Sequence, residues 1–316
     1  MLFLSESLKP FKKTVKTLLL GLQQPAPECA WQVERDELAD VRIVWPRTLQ
    51  WQYAWGWVEP LYHGFRSSVP VTVADIPQTY ESTVVIEFHH RNRAHRVAIN
   101  CSDYPDLIHY HSAGSGFDLE FKMQYLRDGY GDPRIVPGGY VSNSMLIDWY
   151  ARGPQRERER RRFRWDVYGR FGTQFGTLVR ARAIKMLQEQ HRVHFFGGHG
   201  TVGFRKFLRE IAQARVCIDL PGNGPFCFRL VNYLAVGACI VSPPHPTTLP
   251  VPLIDRQHII YTKPDMSDLV DLCERYARDT AAREAVVRQT RIYYRKHLYW
   301  RSLSNYYLRT MLDRLL

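Results

Sequence analysis

Hydrophobic and polar positions alternate along the chain in a pattern that predicts an α/β protein. Short apolar, β-branched runs are typical of buried strands, and many are separated by longer stretches with apolar residues at helical spacing. The predicted strands are residues 41–45, 71–74, 83–88 and 96–100 in the first half, and 165–169, 193–197, 215–221, 239–242 and 258–262 in the second. Strands that alternate with helices indicate βαβ units and a parallel sheet, whose ligands bind beyond the carboxyl ends of the strands.

A charged stretch divides this pattern into two parts. Residues 151–164, ARGPQRERERRRFR, combine Gly and Pro with a run of arginines that Glu157 and Glu159 partly offset. Such a stretch is typical of a linker or an exposed helix between domains. We therefore expect two Rossmann-like domains facing each other across a cleft, formed by residues 1–160 and 161–316.

The amino-terminal region predicts an amphipathic helix over residues 5–20. Its lysines interrupt the apolar residues instead of preceding them, so the pattern does not indicate a secretory signal. Docking of this helix on the protein's own core and contact with a membrane surface both stay open. No apolar run reaches the ~20 residues that a bilayer span requires.

The net charge of +12 is unevenly distributed. Residues 1–165 hold 21 Lys and Arg against 19 Asp and Glu, so the excess lies in the second half. This excess predicts an anionic ligand or surface there, such as a nucleotide diphosphate, a nucleic acid or an acidic lipid. The six scattered cysteines contain no CxxC pair, which argues against a zinc site or a disulfide scaffold and fits a reducing cytosol.

The segment at residues 219–244 is the most informative for chemistry. A strand ends at Pro221, and Gly222, Asn223 and Gly224 then allow a tight turn. The turn would expose backbone N–H groups at the start of a helix, which is a ready anion site. Arg229, one turn into that helix, could add a bidentate contact to a phosphate.

This segment resembles the donor-site signature of GT-B glycosyltransferases, and it is most similar to the spore-maturation (CgeB-like) and exostosin-like group. The residues that match are Gly222, Gly224, Arg229, Leu234, Ala235, Gly237, Ala238, Ile240 and Val241. Gly169-Arg170 at the start of the domain and the closing region around His297 and Trp300-Arg301 also fit, so the resemblance covers residues 165–310. It implies a GT-B fold whose last helix, 300–316, packs near the first domain.

The resemblance further implies transfer of a sugar from a nucleotide diphosphate to an acceptor hydroxyl, on a glycan or glycoconjugate. Arg170, Arg229 and Asn232, with the loop Gly222–Gly224, would bind the donor, while Arg180 and Arg182 lie near it in the sequence. No metal and no cofactor beyond the nucleotide sugar is implied. Many GT-B sites have a glutamate where Asn232 stands, so the identity of the donor stays open.

The first domain should supply a base for the acceptor hydroxyl. The candidates are Asp103, His111 and Asp118, each of which could instead be a cap, a turn residue or a satisfied polar group. The first half also holds an aromatic cluster that could stack on a sugar or base, or form core: Trp31, Trp45, Trp51, Tyr53, Trp55 and Trp57.

Two alternative functions stay open at this point. One is glycosylation of a hydroxymethylated DNA base, as in phage-type DNA modification, and the other is non-catalytic binding of nucleic acid. No recognition module of a known type supports the second, and no GxGxxG follows the first strand as a dehydrogenase would require. We expect a cytoplasmic protein, with peripheral contact at the inner membrane face left open and no partner protein implied.

Overall fold

The structure is a computed structural model that describes residues 28–78, 80–107, 116–142 and 144–316. It confirms the predicted α/β class, with two sheets covered by helices. The predicted helix at residues 5–20 and the candidate base His111 lie outside the described residues. Within the described ranges, no helix is long and apolar enough to cross a membrane.

The first sheet is mixed. Its strands are β1 (Val41–Pro46), β2 (Val71–Ala74), β3 (Thr83–His90), β4 (Arg93–Asn100), β5 (Leu119–Lys122) and β6 (Ile135–Pro137). They are arranged in the order β2-β1-β3-β4-β5-β6, and β3 runs antiparallel to both of its neighbours. The expectation of parallel βαβ pairing fails at β3 and β4, because only two residues separate these strands and a parallel crossover needs a dozen or more.

Two helices belong to the first half of the chain, and only the first of them connects strands of the first sheet. Helix α1 (Trp55–Ser68) follows a short 3₁₀ turn, Gln52–Ala54, and connects β1 to the parallel strand β2. Helix α2 (Ile147–Glu159) contains most of the charged stretch, so that stretch is a helix. Its Arg158 is buried and donates to the carbonyl oxygens of Ile211 and Ala214 at 3.3 and 2.7 Å. The stretch therefore packs on the second half.

The second sheet is parallel throughout. Its strands are β7 (Trp165–Phe171), β8 (Phe195–His199), β9 (Ala214–Ile218), β10 (Cys239–Ser242) and β11 (Ile260–Tyr261). They pair in the order β11-β10-β9-β7-β8, and no described strand belongs to both sheets. The helices are α3 (Thr177–Glu189), α4 (Phe204–Ala212), α5 (Phe228–Val236), α6 (Leu269–Arg278), α7 (Thr280–Tyr293) and α8 (Trp300–Leu315). A π-helical turn, Tyr294–Leu298, links the last two.

One hydrophobic core joins the two halves. It includes Phe65 and Phe121 from the first half and Tyr233 from the second. Helix α8 returns to the first sheet, where Tyr307 stacks on Phe121 with ring centroids 3.8 Å apart. The Tyr307 hydroxyl donates to the Gly138 carbonyl at 2.7 Å. The carboxyl-terminal helix therefore ties the second half to the first by both apolar and polar contacts.

Candidate functional site

The carboxyl edges of the two sheets face each other. Gln124, just after β5, donates to the Phe226 carbonyl at 2.9 Å and accepts from the Phe226 N–H at 3.1 Å. The loop after β10 pairs with the same region of the first half through a bridge between Leu126 and Thr247. Loops that follow strands in both sheets therefore meet, at the edges where α/β sheets bind ligands.

The loop Gly222–Gly224 is packed between the two halves. The Gly222 N–H donates to the Gly224 carbonyl at 3.0 Å, which is the tight turn that the sequence predicts. A Cβ atom on Gly224 would overlap the Asp103 carbonyl oxygen and lie 2.6 Å from the Gln124 Nε2. Glycine is needed at this position because the backbones of the two halves approach so closely.

A second glycine shapes the loop after β7. Gly176 has φ +60°, and a Cβ atom there would lie 2.5 Å from the Pro221 carbonyl oxygen. Arg180 holds the same two loops together, since its guanidinium donates to the carbonyls of Pro221 and Gly172 at 2.9 and 2.8 Å. Arg180 therefore has internal partners and is buried.

The guanidinium of Arg229 has an internal partner. Its Nε lies 2.9 Å from the Asp219 Oδ1, and its Nη2 donates to the Leu220 carbonyl. The guanidinium also lies over the Phe171 ring, 4.6 Å from the centroid, and only 10% of the side chain is exposed. The predicted phosphate contact would require these bonds to be exchanged, so the geometry favours a structural ion pair.

Two more of the predicted donor-binding residues form internal contacts. Arg170 makes two hydrogen bonds to Glu210, at 2.6 and 3.2 Å, which join β7 to α4. Asn232 is buried, and its Oδ1 accepts from the Ser142 hydroxyl at 2.7 Å. Ser142 belongs to the first half, so this bond links the halves beneath the loop.

A cavity of about 410 Å³ opens at the carboxyl edge of the parallel sheet. Its lining is mainly apolar and rich in proline: Leu178, Val179, Arg182, Pro221, Pro225, Pro243, Pro244, His245, Pro246, Pro264 and Met266. Arg182 is exposed, so it supplies a cationic group at this cavity. An apolar pocket with a few convergent polar groups is typical of small-molecule sites.

His245 is a residue that the sequence analysis missed. Its Nδ1 lies 3.2 Å from the Tyr261 hydroxyl, and its Nε2 lies 3.4 Å from the Ser242 Oγ and 3.7 Å from the Asp219 Oδ2. That Asp219 oxygen is buried and has no hydrogen-bond partner among the described residues. The signal was a histidine between prolines directly after a buried strand, in the run Ser242 to Pro246.

Asp103 is the candidate base that the fold brings to the facing edges. Its Oδ2 lies 3.5 Å from the Asn223 Nδ2 at the tip of the glycine loop. Burial raises the pKa of the Asp103 carboxyl, and hydrogen bonds from Asn223 and Tyr140 oppose that shift. A carboxyl with a raised pKa is better matched to proton transfer near neutral pH.

Asp118 lies elsewhere. It precedes β5, at the amino edge of the first sheet, and its Oδ2 accepts from the backbone N–H of Arg96 at 2.8 Å. His95 lies 3.8 Å from the same carboxyl. The fold therefore does not bring Asp118 and Asp103 together, because opposite ends of a strand lie at opposite edges of the sheet.

Aromatic side chains line the junction on the first-half side. Trp57 lies 5.0 Å from Phe228 and 5.2 Å from Trp51, measured between ring centroids, and Phe228 lies 5.7 Å from Tyr140. Trp51 and Trp57 are half-buried, whereas Trp45 belongs to the core. Trp45 therefore fits the core interpretation, and Trp51 and Trp57 also pack against that core. Stacking of these rings on a sugar or base stays a prediction.

The described residues contain no group of three or more His, Cys, Asp or Glu side chains placed to hold a metal ion. Comparisons with models of protein families and with curated proteins find no match to this chain.

Proposed function

We propose that this protein is a metal-independent glycosyltransferase that moves a sugar from a nucleotide diphosphate to an acceptor hydroxyl. The observation that supports it best is the junction of the two carboxyl edges. There a cavity of about 410 Å³ on the parallel sheet adjoins a loop whose tip contacts Asp103 from the first sheet. The facing edges and the return of α8 to the first half support assignment to the GT-B fold.

The donor nucleotide occupies the proline-lined cavity in this proposal. Its apolar walls suit a base and ribose, and the exposed Arg182 meets the diphosphate. Arg229 acts indirectly, because it neutralises Asp219 and so keeps a buried carboxylate from repelling the diphosphate. Positive groups near the leaving diphosphate stabilise the charge that grows as the glycosidic bond breaks.

The acceptor approaches from the first half. In a direct displacement, the Asp103 carboxylate takes the proton of the acceptor hydroxyl. The acceptor oxygen then bonds to the anomeric carbon, and the electron pair of the broken bond stays on the nucleotide diphosphate. The half-buried rings of Trp51 and Trp57 offer faces on which an acceptor sugar can stack.

A thermal-shift panel of nucleotide diphosphate sugars and free nucleotides tests the donor site, since a ligand of the native state raises Tm. We expect one nucleotide class to raise Tm, and Arg182→Ala to weaken its binding by about tenfold, the order of one charge-assisted hydrogen bond. Lys185→Ala, an exposed cation on the same helix, is the matched control. No shift with any nucleotide would contradict the proposal.

Asp103→Asn tests the base once a donor is known. We expect kcat to fall by about 10²–10⁴, the usual contribution of general base catalysis, with donor binding unchanged. Asp118→Asn is the control, because its carboxyl lies at the opposite edge of the same sheet. Equal losses in both variants would exclude a specific role for Asp103.

A further inference from the structure

The exposed face of helix α2 is strongly basic. Trp149, Arg152, Arg156 and Arg160 recur at helical spacing, and all four side chains are exposed. We call these four residues the α2 stripe. The Arg152 guanidinium lies 5.1 Å from the centroid of the Trp149 ring. Among the described residues, none of the three arginines forms an ion pair.

Each acidic residue of this region has a partner outside the α2 stripe, and Asp148 also interacts electrostatically with Arg152 and Arg295. Glu157 accepts from the Gln213 Nε2 at 2.6 Å, and Glu159 pairs with Arg291 at 2.8 Å. Asp148 is a partner of the Tyr294 hydroxyl at 3.0 Å, and burial raises its pKa to about 6. The glutamates that offset the arginines in the sequence therefore do not neutralise the outer face of the helix.

A groove beside α2 extends this surface. It measures about 450 Å³ and lies between α2, the carboxyl end of α5 and helix α7. Arg288, Arg295 and Ile292 line it, and 46% of Ile292 is exposed, comparable to the 43% of Trp149. The two glutamates in its lining are Glu159 and Glu284, and the second lies 3.8 Å from Arg283. The surface thus combines unpaired arginines with two exposed apolar side chains.

We propose that the α2 stripe and this groove dock the protein on a membrane surface rich in anionic phospholipid. Arginines are attracted to the negative headgroups, and an exposed Trp and Ile match the boundary between headgroups and acyl chains, where Trp is enriched. Duplex DNA would attract the arginines equally but offers no apolar layer for Trp149 and Ile292. The groove adjoins the carboxyl end of α5 and the glycine loop precedes its amino end, so docking leaves the candidate site accessible.

Cosedimentation of the full chain with vesicles tests the docking. One set is phosphatidylcholine alone, and the other is an equimolar mixture with phosphatidylglycerol. We expect binding to the mixed vesicles only, weakened by salt. One arginine near such a surface contributes about fivefold to affinity, so the triple variant Arg152→Gln/Arg156→Gln/Arg160→Gln should lose roughly 100-fold.

Two further measurements keep the test specific. Arg35→Gln/Arg93→Gln/Lys263→Gln removes the same charge from exposed positions outside the surface and should lower binding by far less. Trp149→Ala should weaken binding even in high salt, because its contribution is apolar burial. Absence of vesicle binding, equal losses in the two triple variants, or loss of duplex DNA binding without loss of vesicle binding would each overturn the proposal.

Discussion

Arg229→Ala separates a structural role of this arginine from a direct contact with the donor. The substitution leaves Asp219, which is fully buried at the end of β9, without its charged partner. The His245 Nε2 stays 3.7 Å from the Asp219 Oδ2. The Leu220 carbonyl and the Phe171 ring also lose the guanidinium.

The burial of this pair sets the expected cost. Removal of one partner of a buried ion pair destabilises a protein by about 3–5 kcal/mol. At about 2–4 °C per kcal/mol in chains of this order of size, Tm should fall by roughly 10 °C. The assay is thermal unfolding followed by circular dichroism, with Arg182→Ala as an exposed control that should stay within about 0.5 kcal/mol of the parent.

A double-mutant cycle sharpens the result. The variant Arg229→Met/Asp219→Leu removes both charges and should be less destabilised than the sum of Arg229→Met and Asp219→Leu, because neither charge is left unpaired. A well-folded Arg229→Ala protein with the parental Tm and no nucleotide binding would contradict the structural role of Arg229. That result would mean that the guanidinium contacts the donor phosphates directly.

Three further predictions concern stability and pH. Gly224→Ala should destabilise the protein and reduce transfer, because the new Cβ would push against the Asp103 carbonyl and Gln124. Gly153→Ala is the control, since a Cβ there meets nothing within 4 Å, and it should be neutral or stabilising. Thermal melts followed by circular dichroism compare the stability of the two variants. Burial lowers the pKa of His63 to about 4, so on acidification the unfolded chain binds a proton at this histidine before the native state does, and the free energy of unfolding falls as pH drops from about 6.5 to 4. His63→Leu should reduce this fall, by at most about 3 kcal/mol, in denaturant titrations at a series of pH values. An unchanged fall in the variant would contradict the prediction. Burial likewise lowers the pKa of Lys122 from 10.5 to about 8, so the native state releases the proton of this lysine at lower pH than the unfolded chain does. The free energy of unfolding should therefore rise as pH increases from about 8 to 10.5, and Lys122→Met should abolish this rise in the same titrations.

Hydrophobic patterning along the chain was enough to predict the class of fold and most of its elements. Short apolar runs predicted β7, β9 and β10. The signal is clearest for β10, which is buried along its whole length, because strands buried on both faces have few polar residues. The tight turn at Gly222–Gly224 could also be predicted from the sequence, since glycine, which has no Cβ atom, adopts backbone conformations that other residues avoid. The same local patterns predicted strands β1 to β4. They do not specify strand pairing, and the only sign that β3 pairs antiparallel with β4 is the two-residue connection between them.

The contacts of the polar residues in the candidate site follow from the packing of the folded chain and could not be predicted from the sequence. Arg229 pairs with the carboxylate that directly follows the strand before its helix, and Asn232 pairs with Ser142, which is 90 positions away in the chain. Asp103 and Asp118 looked equivalent in the sequence, yet they lie at opposite edges of one sheet. Hydrophobic periodicity specifies which face of an element is buried, whereas the partner of a buried charge comes from whichever element packs against that face.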